Sequence, residues 1–229
     1  MSFFQSFSFL FFIFYITILR TFDKNNIYNI QMSNKTKRIQ QTRQKYTRSR
    51  KIKPLGKLQN YTDDVVLIGS SIISRWKLHS LFGLKNIKNN GISGLFTKNL
   101  FKTQFDFSNP KYIVFYCGGN DLRNNIFPSI IINNINKFLT SLMTQFPHTK
   151  IILLSILMSE NFVNLKKINK NINIVNNWYS DFSKKNFNHF IYINLKLDKH
   201  EFYNTDDIHL NNNGYDELKN SIETELLLN

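Results

Sequence analysis

From Val65 onward, short continuous apolar runs alternate with longer segments whose apolar residues recur every three or four positions. Val65-Val66-Leu67-Ile68, Asn86-Ile87-Lys88-Asn89, residues 112–116, Ile151-Ile152-Leu153-Leu154 and Phe190-Ile191-Tyr192-Ile193 are each bounded by turn or helix signals and read as five strands, the second the weakest. Unbroken apolar runs, rather than alternating ones, are what strands covered on both faces require. Between them, Ile131, Ile132, Ile135, Phe138, Leu139 and Leu142 share one face of a helix over residues 129–146, which Pro147 stops. Residues 161–185 and 213–228 read likewise as helices, the last placing Leu218, Ile222 and Leu226 against the sheet. The alternation predicts a three-layer α/β/α sandwich on a five-stranded parallel sheet, with function gathered at the carboxyl ends of the strands.

The pattern changes before residue 61. Residues 3–19 are almost continuously apolar, interrupted by Gln5, Ser6, Ser8 and Thr17, at the short limit for crossing a bilayer. No Lys or Arg precedes the stretch and no small-residue cleavage site follows it, which speaks against a cleaved secretory signal. Two readings stay open: an uncleaved anchor with the rest of the chain held in the cytoplasm by the basic residues behind it, or translation starting at Met32. Residues 20–60 form a basic tail without hydrophobic periodicity, expected to be disordered, and residues 61–229 suffice for one α/β domain.

Charge looks at first like a nucleic-acid signal, at +15, but residues 1–60 carry 12 Lys/Arg against one Asp, +11 of that total, leaving +4 for residues 61–229. Few aromatic residues interleave the basic cluster at 35–57, so a specific nucleic-acid partner is not expected. An anionic membrane surface beside an anchor is the partner that cluster would suit. Asn34 and Asn60 head glycosylation sequons that matter only in a lumenal setting. Cys117, the single cysteine, excludes an intrachain disulfide; following an apolar run, it reads as a small buried hydrophobe. No Cys/His spacing resembles a zinc site.

Candidate chemistry falls on four short motifs in order. Gly69-Ser70-Ser71 ends the first strand, Asn90-Gly91-Ile92-Ser93-Gly94 follows the second, Gly118-Gly119-Asn120-Asp121 follows the third, and Asp206-Asp207-Ile208-His209 precedes the last helix. Each has a plain reading: a serine capping a helix, turn glycines, a Gly-Asn-Asp loop, a solvated acidic turn. Together they supply a nucleophile, oxyanion donors and a base with its orienting carboxylate. Ser71 abuts the helix and is the nucleophile candidate, with Ser70 as turn support. Asp206 lies three residues before His209, a spacing at which one tight turn sets a carboxylate against Nδ1 and leaves Nε2 for the serine. Asp207 is expected to face solvent or to cap the helix, and His79, His148, His189 and His200 to be structural or exposed.

In this order the four motifs resemble those of the SGNH hydrolases, the GDSL esterase/lipase family, over roughly residues 63–227. The resemblance implies a flavodoxin-like sandwich, Ser71 as nucleophile, the Ser71 and Gly94 N–H groups and the Asn120 amide as oxyanion donors, and Asp206 and His209 as the remaining triad members. It implies hydrolysis of a small-molecule carboxylic ester, a short acyl group on a carbohydrate or lipid, with no metal or cofactor. An acyltransferase using the same site and a catalytically idle binding domain are the alternatives. One departure stands out: Ser70 occupies the position where the family usually has Asp. Substrate choice is expected to lie in residues 157–165 and 195–205, which carry Met158, Phe162, Phe202 and Tyr203.

Overall fold

A computed structural model describes residues 61–157 and 166–228. The anchor, tail and start-codon readings of residues 1–60, and the roles expected of Met158 and Phe162, lie outside the described residues. Among the described residues no helix is long and apolar enough to cross a membrane.

Five strands, β1 (Asp63–Gly69), β2 (Ile87–Gly91), β3 (Pro110–Tyr116), β4 (Lys150–Leu154) and β5 (Phe190–Ile193), pair in parallel in the order β2-β1-β3-β4-β5. Among the described residues, five α-helices connect or follow them: α1 (Ser71–Ser74), α2 (Gly119–Arg123), α3 (Pro128–Gln145), α4 (Lys166–Lys185) and α5 (Asn212–Leu228). Successive strand residues face opposite ways, and the core divides accordingly. Val66, Ile68, Ile113, Phe115, Ile151 and Leu153 pack with α3 and α4 residues such as Ile135, Leu139 and Tyr179. Val65, Leu67, Val114, Ile152 and Leu154 pack on the other face with Ile73, Leu218 and Ile222. Two apolar layers on one sheet are the three-layer sandwich, and they explain why Val65, Val66, Leu67 and Ile68 are all fully buried.

The edge strand differs from the expectation. It runs two residues further than the local pattern suggests, because parallel pairing of Ile68 with Asn90 and Gly69 with Gly91 extends the ladder through a polar stretch. Lys88 on this edge reaches Asp63 at 3.5 Å and Asp106 at 3.6 Å, charges that suit a strand with one unpaired side. The Gly118-Gly119-Asn120-Asp121 segment, expected as a loop, instead opens the helix α2, with Asn120 and Asp121 in its first turn. Pro128 sits at the start of α3, where its missing N–H costs nothing. Cys117 is buried in the first apolar layer, and burial followed by the nearby Asp121 charge pushes its thiol far up, so it is a packed hydrophobe.

Candidate active site

The first strand delivers its serine through a close backbone approach. Ser70 N–H donates to the Tyr116 carbonyl at 3.1 Å, extending the β1–β3 ladder by one bond, and α1 begins at the next residue. Ser70 occupies the cap position but makes no side-chain cap bond, and Ser71 Oγ lies 3.0 Å from His209 Nε2. The serines therefore do not serve as an ordinary helix cap. As the first residue of a helix, Ser71 also carries an N–H without an intrahelical acceptor.

His209 is held by a tight turn. Asn204 N–H donates to the His209 carbonyl at 2.8 Å, and Asp207 N–H to the Asn204 carbonyl at 2.9 Å. Asp206 Oδ1 accepts the N–H groups of Ile208 at 3.0 Å and His209 at 2.9 Å, while Oδ2 meets His209 Nδ1 at 2.6 Å. A carboxylate on Nδ1 fixes the proton there and leaves Nε2 as the acceptor for the Ser71 hydroxyl. Burial pushes the Asp206 carboxyl up, but the hydrogen bonds from the His209 ring and from the His209 and Ile208 amides outweigh it, holding the group well below the usual carboxylate range.

This depression predicts a pH-dependent stability term. Because the folded value lies below the unfolded one, the contribution is present above the unfolded value of about 3.9 and is lost as pH falls through the folded value. The thermal midpoint of Asp206→Asn is expected to lie below that of the native protein at pH 7. The gap should narrow as pH falls below about 4, which thermal melts across pH 7 to 3 will read; a gap independent of pH would mean the carboxylate charge contributes nothing.

The neighbouring acid corrects the sequence reading. Asp207 neither points freely to solvent nor caps α5: its Oδ1 lies 2.5 Å from His200 Nδ1, and its side chain is only 20% exposed. Its backbone is left-handed, at φ 53°, which lets two consecutive carboxylates serve different histidines. His200 is exposed, as expected, but has this partner in addition.

The remaining candidates sit on a loop and a helix tied to one another. Gly94 has φ 78° with open space where a Cβ would stand, so the backbone conformation rather than crowding calls for glycine. Asn120 Nδ2 donates to the Leu95 carbonyl at 3.0 Å, and the buried Asp121 accepts Thr97 Oγ1 at 2.7 Å and Thr97 N–H at 3.0 Å. Burial pushes the Asp121 carboxyl up, and the Thr97 bonds and Lys98 charge partly offset it. The residues just after the Gly94 turn are thus pinned to the first turn of α2. Asp121 and Thr97 do this positioning unnoticed by the sequence reading, although Asp121 directly follows Asn120.

A cleft with room for about 50 Å³ opens beside Ser71. Asn120, Arg123, Tyr116, Tyr203, Asp207 and the apolar side chains of Ile72, Ile156, Ile168 and Ile172 line it; Gly94 and His209 do not. Tyr203 and Leu157 are therefore where the loop reading put them, while Phe202 packs against the second apolar layer. Arg123 and the α4 residues Ile168 and Ile172 were not singled out from the sequence.

A parallel sheet in the 2-1-3-4-5 order, with a serine, histidine and aspartate joined by hydrogen bonds at the strands' carboxyl ends, defines an SGNH-type hydrolase architecture. The chain belongs to the GDSL-like lipase/acylhydrolase family, whose model matches residues 72–217. No curated protein matches the chain. Among solved structures, it is similar to a Streptococcus pneumonia protein provisionally described as a platelet activating factor, with 24% identity, a TM-score of 0.59, and coverage of 82% of this chain and 92% of that one. A GDSL-like lipase from Bacteroides thetaiotaomicron matches with 20% identity and a TM-score of 0.56, covering 71% of this chain and 86% of that one. The acetylxylan esterase Axe2 from Geobacillus stearothermophilus matches with 12% identity and a TM-score of 0.56, covering 73% and 95%. At these identities the likenesses speak to the fold.

Proposed function

We propose that the protein is a serine esterase that hydrolyses a carboxylic ester through an acyl-enzyme on Ser71. The observation that carries this reading is the continuous hydrogen-bond chain from Ser71 Oγ through His209 to Asp206. His209 Nε2 takes the Ser71 proton as Oγ attacks the ester carbonyl, and Asp206 stabilises the imidazolium that forms. The Ser71 N–H, Gly94 N–H and Asn120 amide hold the oxyanion. His209 then gives the proton to the departing alcohol oxygen, which leaves Ser71 acylated. Water, deprotonated by the same nitrogen, attacks the acyl carbon; Ser71 regains its proton as the carboxylic acid departs.

A short acyl group, carried on a carbohydrate or lipid alcohol, suits the small and mostly apolar cleft beside Ser71. Fluorophosphonate labelling of the purified full chain, with peptide mapping, tests the reading. The label is expected on Ser71 and is expected to disappear in His209→Ala; a folded protein that takes no label would overturn it.

A further inference from the structure

We infer that Arg123 is a positioning residue for the oxyanion donor: its guanidinium, bonded to Asn120 Oδ1, fixes the side-chain amide of Asn120 with Nδ2 as the end presented to the reacting carbonyl. The inference rests on the ester-hydrolysis reading above. An Asn side chain has an acceptor end and a donor end of nearly equal shape, and rotation by half a turn exchanges them. Only the partners decide which end faces where. On one side stands the Leu95 carbonyl, which can only accept and lies 3.0 Å from Nδ2. On the other stands an Arg123 Nη2, which can only donate and bonds Oδ1. Turning the amide over would set oxygen against oxygen and NH₂ against guanidinium, replacing two bonds by two repulsions. The bond to a charged donor is also the stronger of the two holds.

The local sequence brings the pair together. Asn120 and Arg123 are three residues apart on α2, so they share one face of that helix. Both line the cleft beside Ser71. Among the described residues Arg123 forms no salt bridge with a carboxylate, so its charge is not neutralised by a partner ion. That charge is felt at Tyr116: burial pushes the hydroxyl up to about 12, against the opposing effects of its Leu157 hydrogen bond and the Arg123 charge. A cation on the oxygen end of an amide draws electron density from its nitrogen and strengthens the N–H bonds as donors. Nδ2 has two hydrogens, one committed to Leu95, and the second is the donor that Arg123 would both aim and strengthen.

The test is a double-mutant cycle on the full chain, read as kcat and KM for 4-nitrophenyl acetate and as the rate of fluorophosphonate labelling at Ser71. Removing a whole oxyanion donor costs on the order of 10²–10³ in kcat, so loss of its orienting partner in Arg123→Met is expected to cost about 10- to 100-fold, with KM changed by less than about twofold. Arg123→Lys, which restores a cationic donor, should recover part of the loss. In the Asn120→Ala background, Arg123→Met should cost less than about twofold, because the group it positions is gone. An equal cost in both backgrounds would overturn the inference, as would a rise in KM with kcat unchanged, which would make Arg123 a substrate contact. If Arg123→Met does not fold, Arg123→Lys measured in the two backgrounds decides by the same criterion. A native protein that neither hydrolyses nor labels brings down the esterase reading and this inference together; an active native protein indifferent to Arg123→Met brings down this inference alone.

Discussion

Ser71→Ala is expected to lower kcat/KM for a short-chain aryl ester by about 10⁴-fold or more, roughly 5.5 kcal/mol of transition-state stabilisation. The substitution removes one hydroxyl from a buried residue and leaves the Asp206–His209 pair and its turn intact. It gives up one hydrogen bond, worth about 1 kcal/mol at most, so the thermal midpoint should move by only a few degrees. Activity and stability are therefore expected to separate. The residual rate should stay above the uncatalysed one, because the proposed oxyanion donors on Asn120 and the backbone remain. Ser70→Ala is the matched control: Ser70 is also buried but makes no cap bond, and its loss should leave activity within about tenfold, less than the cost of an oxyanion donor. Kinetics of the two variants side by side distinguish adjacent serines that sequence alone distinguishes only by their distance from the helix. Retained activity in Ser71→Ala would remove it as nucleophile.

The strands were legible because burial on both faces leaves a continuous apolar run, and Ile151-Ile152-Leu153-Leu154 and Phe190-Ile191-Tyr192-Ile193 are strands to within a residue. The edge strand was less so: its extent depends on pairing with β1, and neither Asn90 nor Gly91 announces a strand. The helix α2 escaped because five residues carry too little periodicity to reveal one, and its first turn is held by Leu95 and Thr97, some 24 residues back in the chain. The same distinction runs through the site. Asp206 and His209 lie within one turn, a spacing that allows the 2.6 Å contact without help from the rest of the fold. The His200–Asp207 pair depends on a left-handed residue that is not glycine, and the Thr97–Asp121 bond depends on how the segment after Gly94 meets α2. Local geometry is written in local sequence, whereas the bonds that hold Leu95 and Thr97 to the first turn of α2 are set by tertiary contact.

Gly69→Ala is expected to damage both the fold and the site, for one steric reason. Gly69 pairs with Gly91 on one side and Tyr116 on the other, at the point where β1 hands the chain to Ser70 and Ser71. A Cβ built there would lie 2.1 Å from the Tyr116 carbonyl oxygen and 2.7 Å from Ile73 Cγ1. The first of these is backbone, and it is the same oxygen that accepts the Ser70 N–H. A side chain cannot rotate out of that clash; the strands must part, and the bond that anchors the start of α1 parts with them. Destabilisation on the order of 3 kcal/mol is expected, read as a lowered urea midpoint with an unchanged slope. Below that midpoint the folded fraction should still lose about 10²-fold in kcat, since displacement of Ser71 by an ångström breaks its 3.0 Å contact with His209. Gly94→Ala provides the contrast. Beyond its two chain neighbours no residue comes within 4 Å of a Cβ there, so its cost should be only the left-handed backbone strain of about 1–2 kcal/mol. A Gly69→Ala protein as stable as Gly94→Ala would mean that β1 and β3 do not approach as closely as the pairing of Gly69 with Tyr116 requires.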